Sequence, residues 1–91
     1  MTKRQLIIKV SNDTCYSRRT VELIVESLTK NVMFELSHGR KVSIEGFGTF
    51  EPKKRSPRTG RNPHTGEAVP IPARIMPVFK PGKLFKRAIE R

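Results

Sequence analysis

Proline is distributed very unevenly in this chain of 91 residues. Residues 1–51 contain none, whereas all seven prolines lie between Pro52 and Pro81. A proline has no N–H to donate and fixes its own φ, so it ends helices and is tolerated in sheets only on edge strands or at bulges. The first half can therefore be helical, and the second half is expected to be mostly extended. This distribution predicts an α+β fold in which helices precede strands that are largely edges.

The first half carries the signals of two helices. Thr2 and Gln5 are spaced as in a capping box, which predicts a short helix over about 3–13. Asn12–Tyr16 is expected to form a turn, after which Ser17 can cap a second helix. Apolar residues then recur at steps of three and four, as on one face of a helix. They are Val21, Ile24, Val25, Leu28, Val32 and Leu36, and Gly39 is the expected stop.

The second half begins with a predicted β-hairpin. Val42 and Ile44 alternate with polar residues, and the glycines on either side of Phe47 predict a tight reversal toward Phe50. Few other large apolar groups surround these two phenylalanines. We therefore interpret Phe47 and Phe50 as core residues rather than as platforms on which bases stack.

The remaining sequence predicts a β-ribbon that leaves and rejoins a body. The ribbon, called the arm below, is expected to cover 52–74, as an extension of a three-stranded antiparallel sheet. The body is expected to comprise 1–51 and 75–91 and to end in a short helix that starts near Gly82. We interpret the whole chain, 1–91, as a single domain, since its length suits one domain only.

The end of the arm combines turn residues with positive charge. Asn62 and Pro63 suit the start of a turn, and Gly66 can adopt the positive φ that returns the chain. The arm carries six cations and one acid, Glu67. Pro63 is interpreted as a wedge that enters DNA and replaces stacking between base pairs. The alternative is that Pro63 only forms a turn. The six cations are Lys53, Lys54, Arg55, Arg58, Arg61 and Arg74.

The overall charge indicates a polyanionic partner. The chain has 19 Lys and Arg against 8 Asp and Glu, a formal charge of +11. Such self-repulsion favours binding to nucleic acid first and to an anionic membrane surface second. No apolar run approaches the roughly 20 residues of a membrane-spanning helix, and no signal peptide is evident. The lone Cys15 fits a reducing interior, so a cytoplasmic location is expected.

Cations also begin the three predicted helices. Lys3, Arg18 and Lys83 lie in first turns, where the positive end of the helix dipole makes a cation unfavourable. An external phosphate would relieve this, because free backbone N–H groups and a cation together bind phosphate. Lys80 and Lys86 extend the positive surface near the last helix. The alternative is a basic surface with no assigned ligand.

These motifs resemble the HU family of bacterial histone-like DNA-binding proteins, which includes integration host factor. The resemblance rests on Gly39, Gly46-Phe47-Gly48-Thr49-Phe50, Arg58-Thr59-Gly60-Arg61-Asn62-Pro63, Thr65-Gly66, Ile71, Pro77, Phe79 and Gly82-Lys83. It implies an intertwined dimer whose arms enter the minor groove and bend the duplex, with Phe47, Phe50 and Phe79 in the dimer core. The residues expected to contact DNA are Lys3, Arg18, Lys53, Arg55, Arg58, Arg61, Asn62, Pro63, Arg74, Lys80, Lys83 and Lys86.

Several functions remain open from the sequence. The leading hypothesis is a nucleoid-associated architectural protein that binds duplex DNA with low sequence specificity, and the alternatives are a site-preferring bender of the integration host factor type and an RNA-binding module. An enzyme is not expected: Glu22 and Glu26 are the only acids at helical spacing, and no cofactor or metal site is indicated. The partner chain can be identical or a paralogue.

Overall fold

The computed structural model describes residues 1–90, apart from the side chain of Ile71. It confirms the α+β class, with helices before and after an antiparallel sheet. The elements in chain order are α1 (Lys3–Thr14), α2 (Arg18–Ser37), β1 (Val42–Ile44), β2 (Gly48–Arg55), β3 (Arg58–Arg61), β4 (Ala68–Ile71), β5 (Arg74–Pro81) and α3 (Lys83–Ile89). Within residues 1–90 no helix is long and apolar enough to cross a membrane.

The chain forms two compact units, the first comprising Met1–Phe34 and the second beginning at Glu35. In the first unit the predicted capping box is confirmed. The Thr2 hydroxyl accepts from the Gln5 N–H at 3.2 Å, and the Gln5 side chain accepts from the Thr2 N–H at 2.8 Å. Ile7 and Val21 are the buried apolar side chains of this unit.

The first helix is longer than predicted. A turn was expected over 12–16, but α1 continues to Thr14. Cys15 then adopts a left-handed conformation with φ of 64°, and its N–H donates to the Ser11 carbonyl. Glycine is the usual residue in this terminal geometry, so the residue type did not indicate that a cysteine would adopt it. As predicted, the Ser17 hydroxyl caps α2 by accepting from the Thr20 N–H at 3.1 Å.

The second unit contains the sheet, in the order β1-β2-β5. β1 pairs with β2 only as far as Val42↔Phe50, so beyond that point β2 and β5 form a two-stranded ribbon. The predicted ribbon is interrupted, because the β2–β5 ladder ends at Arg55↔Arg74. β3 and β4 then form a separate two-stranded sheet. The break leaves an open groove of about 420 Å³, lined by Pro57, Arg58, Thr59, Pro70 and Pro72.

Phenylalanines form the apolar cluster of the second unit. The ring of Phe47 lies 6.4 Å from Phe50 and 5.2 Å from Phe79, which brings the three predicted core residues together. Phe85 joins them at 5.3 Å from Phe47, a contact that the sequence did not single out. Gly48 is required here, because a Cβ at this position would lie 2.6 Å from the Phe79 ring.

Candidate nucleic-acid interface

The tip of the arm is a hydrogen-bonded loop that leaves Pro63 exposed. The Asn62 N–H donates to the Glu67 carbonyl, and the Gly66 N–H donates to the Asn62 carbonyl, both at 2.8 Å. Gly66 has the predicted positive φ, 74°. The Asn62 side chain also accepts from the His64 N–H at 2.8 Å. These bonds hold the turn without using the proline ring, so the ring is available to a partner.

Arg61 folds back across this loop. Its guanidinium donates to the Gly66 carbonyl at 3.3 Å. The bond is long and the side chain is exposed, so it constrains the guanidinium only weakly. Arg61 therefore lies two residues before Pro63 in the chain, and it has further N–H donors for an external acceptor.

The six cations of the arm are exposed, and they lie on β2, β3 and β5. Four ion pairs are present among residues 1–90, and none of them involves the six arm cations. Arg55 and Arg74 lie directly opposite each other in the ladder. Like charges at such positions destabilise a ribbon, and the ribbon alone is only marginally stable in water. An anion that binds between these two residues would remove that repulsion.

At the foot of the arm, one predicted contact residue already has a partner. The Lys80 ammonium lies 2.7 Å from the Glu51 carboxylate. The hydrogen bond from Lys80 is the main reason why the pKa of Glu51 is lowered. Burial opposes this effect, and the charges of Lys80, Lys41 and Lys53 add to the lowering. Lys80 would therefore have to exchange Glu51 for a phosphate in order to bind DNA.

The first unit shows the same arrangement in weaker form. Lys3 lies 3.6 Å from Glu26, while Arg18 is exposed. Sequence reasoning proposed Lys3 and Lys80 as contacts but missed both acidic partners. Glu26 lies on another helix and Glu51 on another strand, so sequence spacing gives no sign of either pair.

The starts of the helices agree with the expected pattern of charge. Neither α1, α2 nor α3 has an acidic residue in its first turn. Gly82 precedes α3 and provides no side-chain cap. Lys83 and Lys86 of this helix are exposed. The last helix therefore starts with backbone N–H groups that no side chain caps, and a cation lies nearby. Together these groups can bind an anion.

Within the described part of the chain, no three His, Cys, Asp or Glu side chains are grouped so that they could hold a metal ion. The features that residues 1–90 do bring together are an exposed proline tip, a cationic ribbon and a phenylalanine cluster at its foot.

Comparison with known proteins decides which family shares this arrangement. The model of the family described as "Bacterial DNA-binding protein" matches residues 1–90. The chain belongs to this family. It is 41% identical to a DNA-binding protein HU of Clostridium pasteurianum over 91 residues, covering all of both chains. It is 42% identical to an integration host factor subunit beta of Marinobacter nauticus, covering 98% of this chain and 92% of the relative.

Solved structures of the bacterial DNA-binding protein family have the same fold. An HU–DNA cocrystal structure from Anabaena superposes with a TM-score of 0.94 at 34% identity. The match covers 98% of this chain and 97% of the Anabaena chain. The shared fold thus extends over nearly the whole length of both chains.

Proposed function

We propose that this chain is an architectural DNA-binding protein that binds the minor groove of duplex DNA with low sequence specificity and bends it. The supporting observation is the exposed Pro63, held by its own loop at the end of a cationic ribbon. A saturated ring without an N–H can replace stacking between two base pairs, and members of the chain's own family are established examples of this behaviour. The bend then brings more of the duplex within reach of the cations.

Three sets of residues would share the contacts. The arm set provides charge along the groove, the tip set provides the wedge and its neighbours, and the body set holds the flanking backbone. Since the minor groove presents a degenerate pattern of acceptors, Arg61 and Asn62 can at most prefer A·T over G·C pairs. The arm set is Lys53, Arg55, Arg58 and Arg74, the tip set is Arg61, Asn62 and Pro63, and the body set is Lys3, Arg18, Lys80, Lys83 and Lys86.

Two chains would form the active assembly. Many large apolar side chains are exposed in the single chain, including Leu28 (53%) and Met33 (63%) of α2 and Leu84 (60%) of α3. Burial of such surface is the main force for association, and a chain this short needs it. We infer an intertwined dimer with Phe47, Phe50 and Phe79 in its core. The second chain would be identical or, as the name of the Marinobacter subunit suggests, a paralogue.

The role we propose is structural rather than catalytic, in the organisation of the bacterial nucleoid. It requires binding and bending alone, and neither a nucleophile nor a metal takes part. A site-preferring bender is the second candidate, because an integration host factor subunit and an HU protein are equally similar to the chain. Affinity for a kinkable site and for a random duplex at equal salt separates the two: a site-preferring bender binds the kinkable site far more tightly.

The central test replaces the wedge. Pro63→Ala is expected to reduce the bend and to weaken binding by about 1 to 3 kcal/mol, because the wedge is removed while the loop keeps its hydrogen bonds. The bend is measured by energy transfer between dyes at the two ends of a duplex. Pro77→Ala, a ribbon proline away from the tip, is the matched control and is expected to leave the bend unchanged. An undiminished bend in the Pro63 variant would exclude the wedge.

A further inference from the structure

The ribbon keeps one register along its whole length. The β2–β5 ladder ends at Arg55↔Arg74, and the β3–β4 ladder starts at Arg58↔Ile71. The second pair lies three residues later in one strand and three earlier in the other. No residue is therefore inserted on either side, and the break between the two ladders is not a β-bulge.

The hydrogen-bonding phase nevertheless changes at the break. In an antiparallel ladder, pairs that exchange hydrogen bonds alternate with pairs that do not. At the foot of the arm the Gly82 N–H donates to the Phe47 carbonyl at 2.9 Å, and at the tip the Asn62 N–H donates to the Glu67 carbonyl at 2.8 Å. Phe47 and Asn62 are an odd number of residues apart. In an unbroken ladder, two bonded positions on one strand are separated by an even number.

The prolines obey this change of phase. Pro52 faces Pro77, and Pro81 faces Gly48, so these three must lie at non-bonded pairs of the lower ladder. Pro70 faces Thr59 and lies at a non-bonded pair of the upper ladder.

The same register places Pro57 opposite Pro72 inside the break. If the lower phase continued, Pro57, Pro70 and Pro72 would each have to donate an N–H that a proline lacks. In the upper phase none of the three has to donate.

A change of phase also exchanges the two faces of the ribbon. For L residues, the direction of the N–H relative to the partner strand fixes the face on which the side chain stands. In the lower ladder, bonded residues include Glu51, Lys53, Arg55, Arg74 and Lys80. The Glu51–Lys80 ion pair is consistent with this assignment, because it requires Glu51 and Lys80 to stand on the same face. We call it the ion-pair face.

In the upper ladder the bonded residues have the other parity. Arg58 is bonded, so it stands on the ion-pair face, whereas Arg61 is non-bonded and stands on the opposite face. In an unbroken ribbon the two would be exchanged. Because of the change of phase, Arg58 stands on the same face as Arg55 and Arg74, and Arg61 stands on the opposite face.

We propose that Pro57, Pro70 and Pro72 are positioning residues that impose this change of phase. The cations of the arm can then face both walls of the minor groove of DNA. Arg55, Arg58 and Arg74 would face the phosphates of one strand, and Arg61 would face the other. The proposal rests on the proposed function, because it assigns a use in DNA binding to a feature of the free arm. In this proposal the change of phase results from the N–H donors that the prolines lack, and bound DNA is not needed to produce it.

The change of phase can be tested in the free protein by NMR. Cα atoms of non-bonded pairs are about 4.5 Å apart and those of bonded pairs about 5.5 Å, so Hα–Hα contacts mark the non-bonded pairs. The wild type is expected to show such contacts for both Lys54–Ile75 and Arg61–Ala68. An unbroken ladder can give only one of the two. Finding only one overturns the proposal without any substitution.

The triple variant Pro57→Ala, Pro70→Ala, Pro72→Ala restores three donors. It is expected to extend the lower phase, so that the Arg61–Ala68 contact is lost and one appears at Gly60–Val69. DNA binding should weaken about tenfold and the bend should decrease, because Arg58 and Arg61 exchange faces while Pro63 remains. The matched control is Pro52→Ala, Pro77→Ala, Pro81→Ala, in which the restored N–H groups point away from the partner strand. This control should show the same Hα–Hα contacts as the wild type, and its affinity for DNA should stay within about twofold of the wild-type value.

Each outcome decides a distinct point. If the triple variant keeps the Arg61–Ala68 contact, the prolines do not impose the change of phase. If the contact moves to Gly60–Val69 but affinity and bend are unchanged, the change of phase has no role in binding, and the proposal also fails. If the wild type itself does not bind duplex DNA, the proposed function fails, while the contacts in the free protein still show whether the prolines set the phase.

Discussion

At the scale of single residues, the foot of the arm uses charge in two opposite ways. Lys80 is neutralised within the chain by Glu51 at 2.7 Å, whereas Arg55 and Arg74 face each other with like charge. Arg55, Arg74 and Lys80 are exposed and Glu51 is half-buried, so each pair contributes little to stability in water. The difference matters for binding, because an incoming phosphate competes with a carboxylate at Lys80 and meets no such competitor at the arginines.

The Glu51–Lys80 pair predicts a pH dependence. Since the pKa of Glu51 is lowered in the folded state, its contribution to the free energy of unfolding is present above the ordinary Glu pKa and is lost as pH falls through the lowered value. Stability of the wild type should therefore decline below about pH 4.3, and Glu51→Gln should decline less steeply. Urea unfolding at a series of pH values measures this. Glu45→Gln, an exposed carboxylate of the same hairpin, is the control, and equal slopes for Glu51→Gln and wild type would contradict the assignment.

At the scale of elements, the two ends of the short helix α3 differ. Its start has no side-chain cap and no acid, and its last turn holds Lys86 and Arg87, which suit the negative end of the dipole. The two ends are thus treated unequally: the C-terminal end is complemented within the chain, and the N-terminal end requires an external anion or water.

Lys83 lies at the N-terminal end of α3, which no side chain caps. Lys83→Ala is expected to lower the dependence of binding on salt, the slope of log K against log [salt], by about one unit without changing the bend. A salt titration of affinity measures the slope, and Arg87→Ala in the last turn is the matched control. A slope that Lys83→Ala leaves unaltered would remove this residue from the phosphate contacts.

Elements with local signals were predicted from the sequence, and features that depend on distant partners were not. The capping box at Thr2, the cap at Ser17 and the turn closed by Gly66 involve residues within a few positions, and all three are confirmed. The left-handed Cys15 was missed because the residue type does not announce it. The break in the arm was missed because the consequence of Pro57 depends on which residue lies opposite, and only the register supplies that.

At the scale of the whole molecule, the single chain buries little. Ile7 and Val21 are the large apolar residues that are buried among residues 1–90, while Leu6, Ile24 and Phe34 are each more than half exposed. Folding stability is a small difference between large terms, so apolar surface left in water represents a sizeable share of the available stabilisation. Association is therefore expected to be coupled to folding.

The phenylalanine cluster is where this coupling can be tested. Phe47 contacts Phe79 and Phe85 and is still 40% exposed, so it has apolar surface left for a partner. Phe47→Ala should lose the dimer first, at a cost of about 3 kcal/mol or less, since full burial of a phenylalanine sets the upper range. Sedimentation over a concentration series measures it, and Tyr16→Ala, an exposed aromatic outside the cluster, is the control. A stable folded monomer that still binds DNA would contradict the dimer core.

The left-handed residue that ends α1 also provides an experimental handle. Cys15 holds the one thiol in the sequence, and its side chain is exposed. A maleimide dye or nitroxide attached there would label every chain once, at a defined corner between two helices. Mixing donor-labelled with acceptor-labelled protein would then reveal how fast subunits exchange, and labelling this chain alone beside a paralogue would reveal which pairing it prefers.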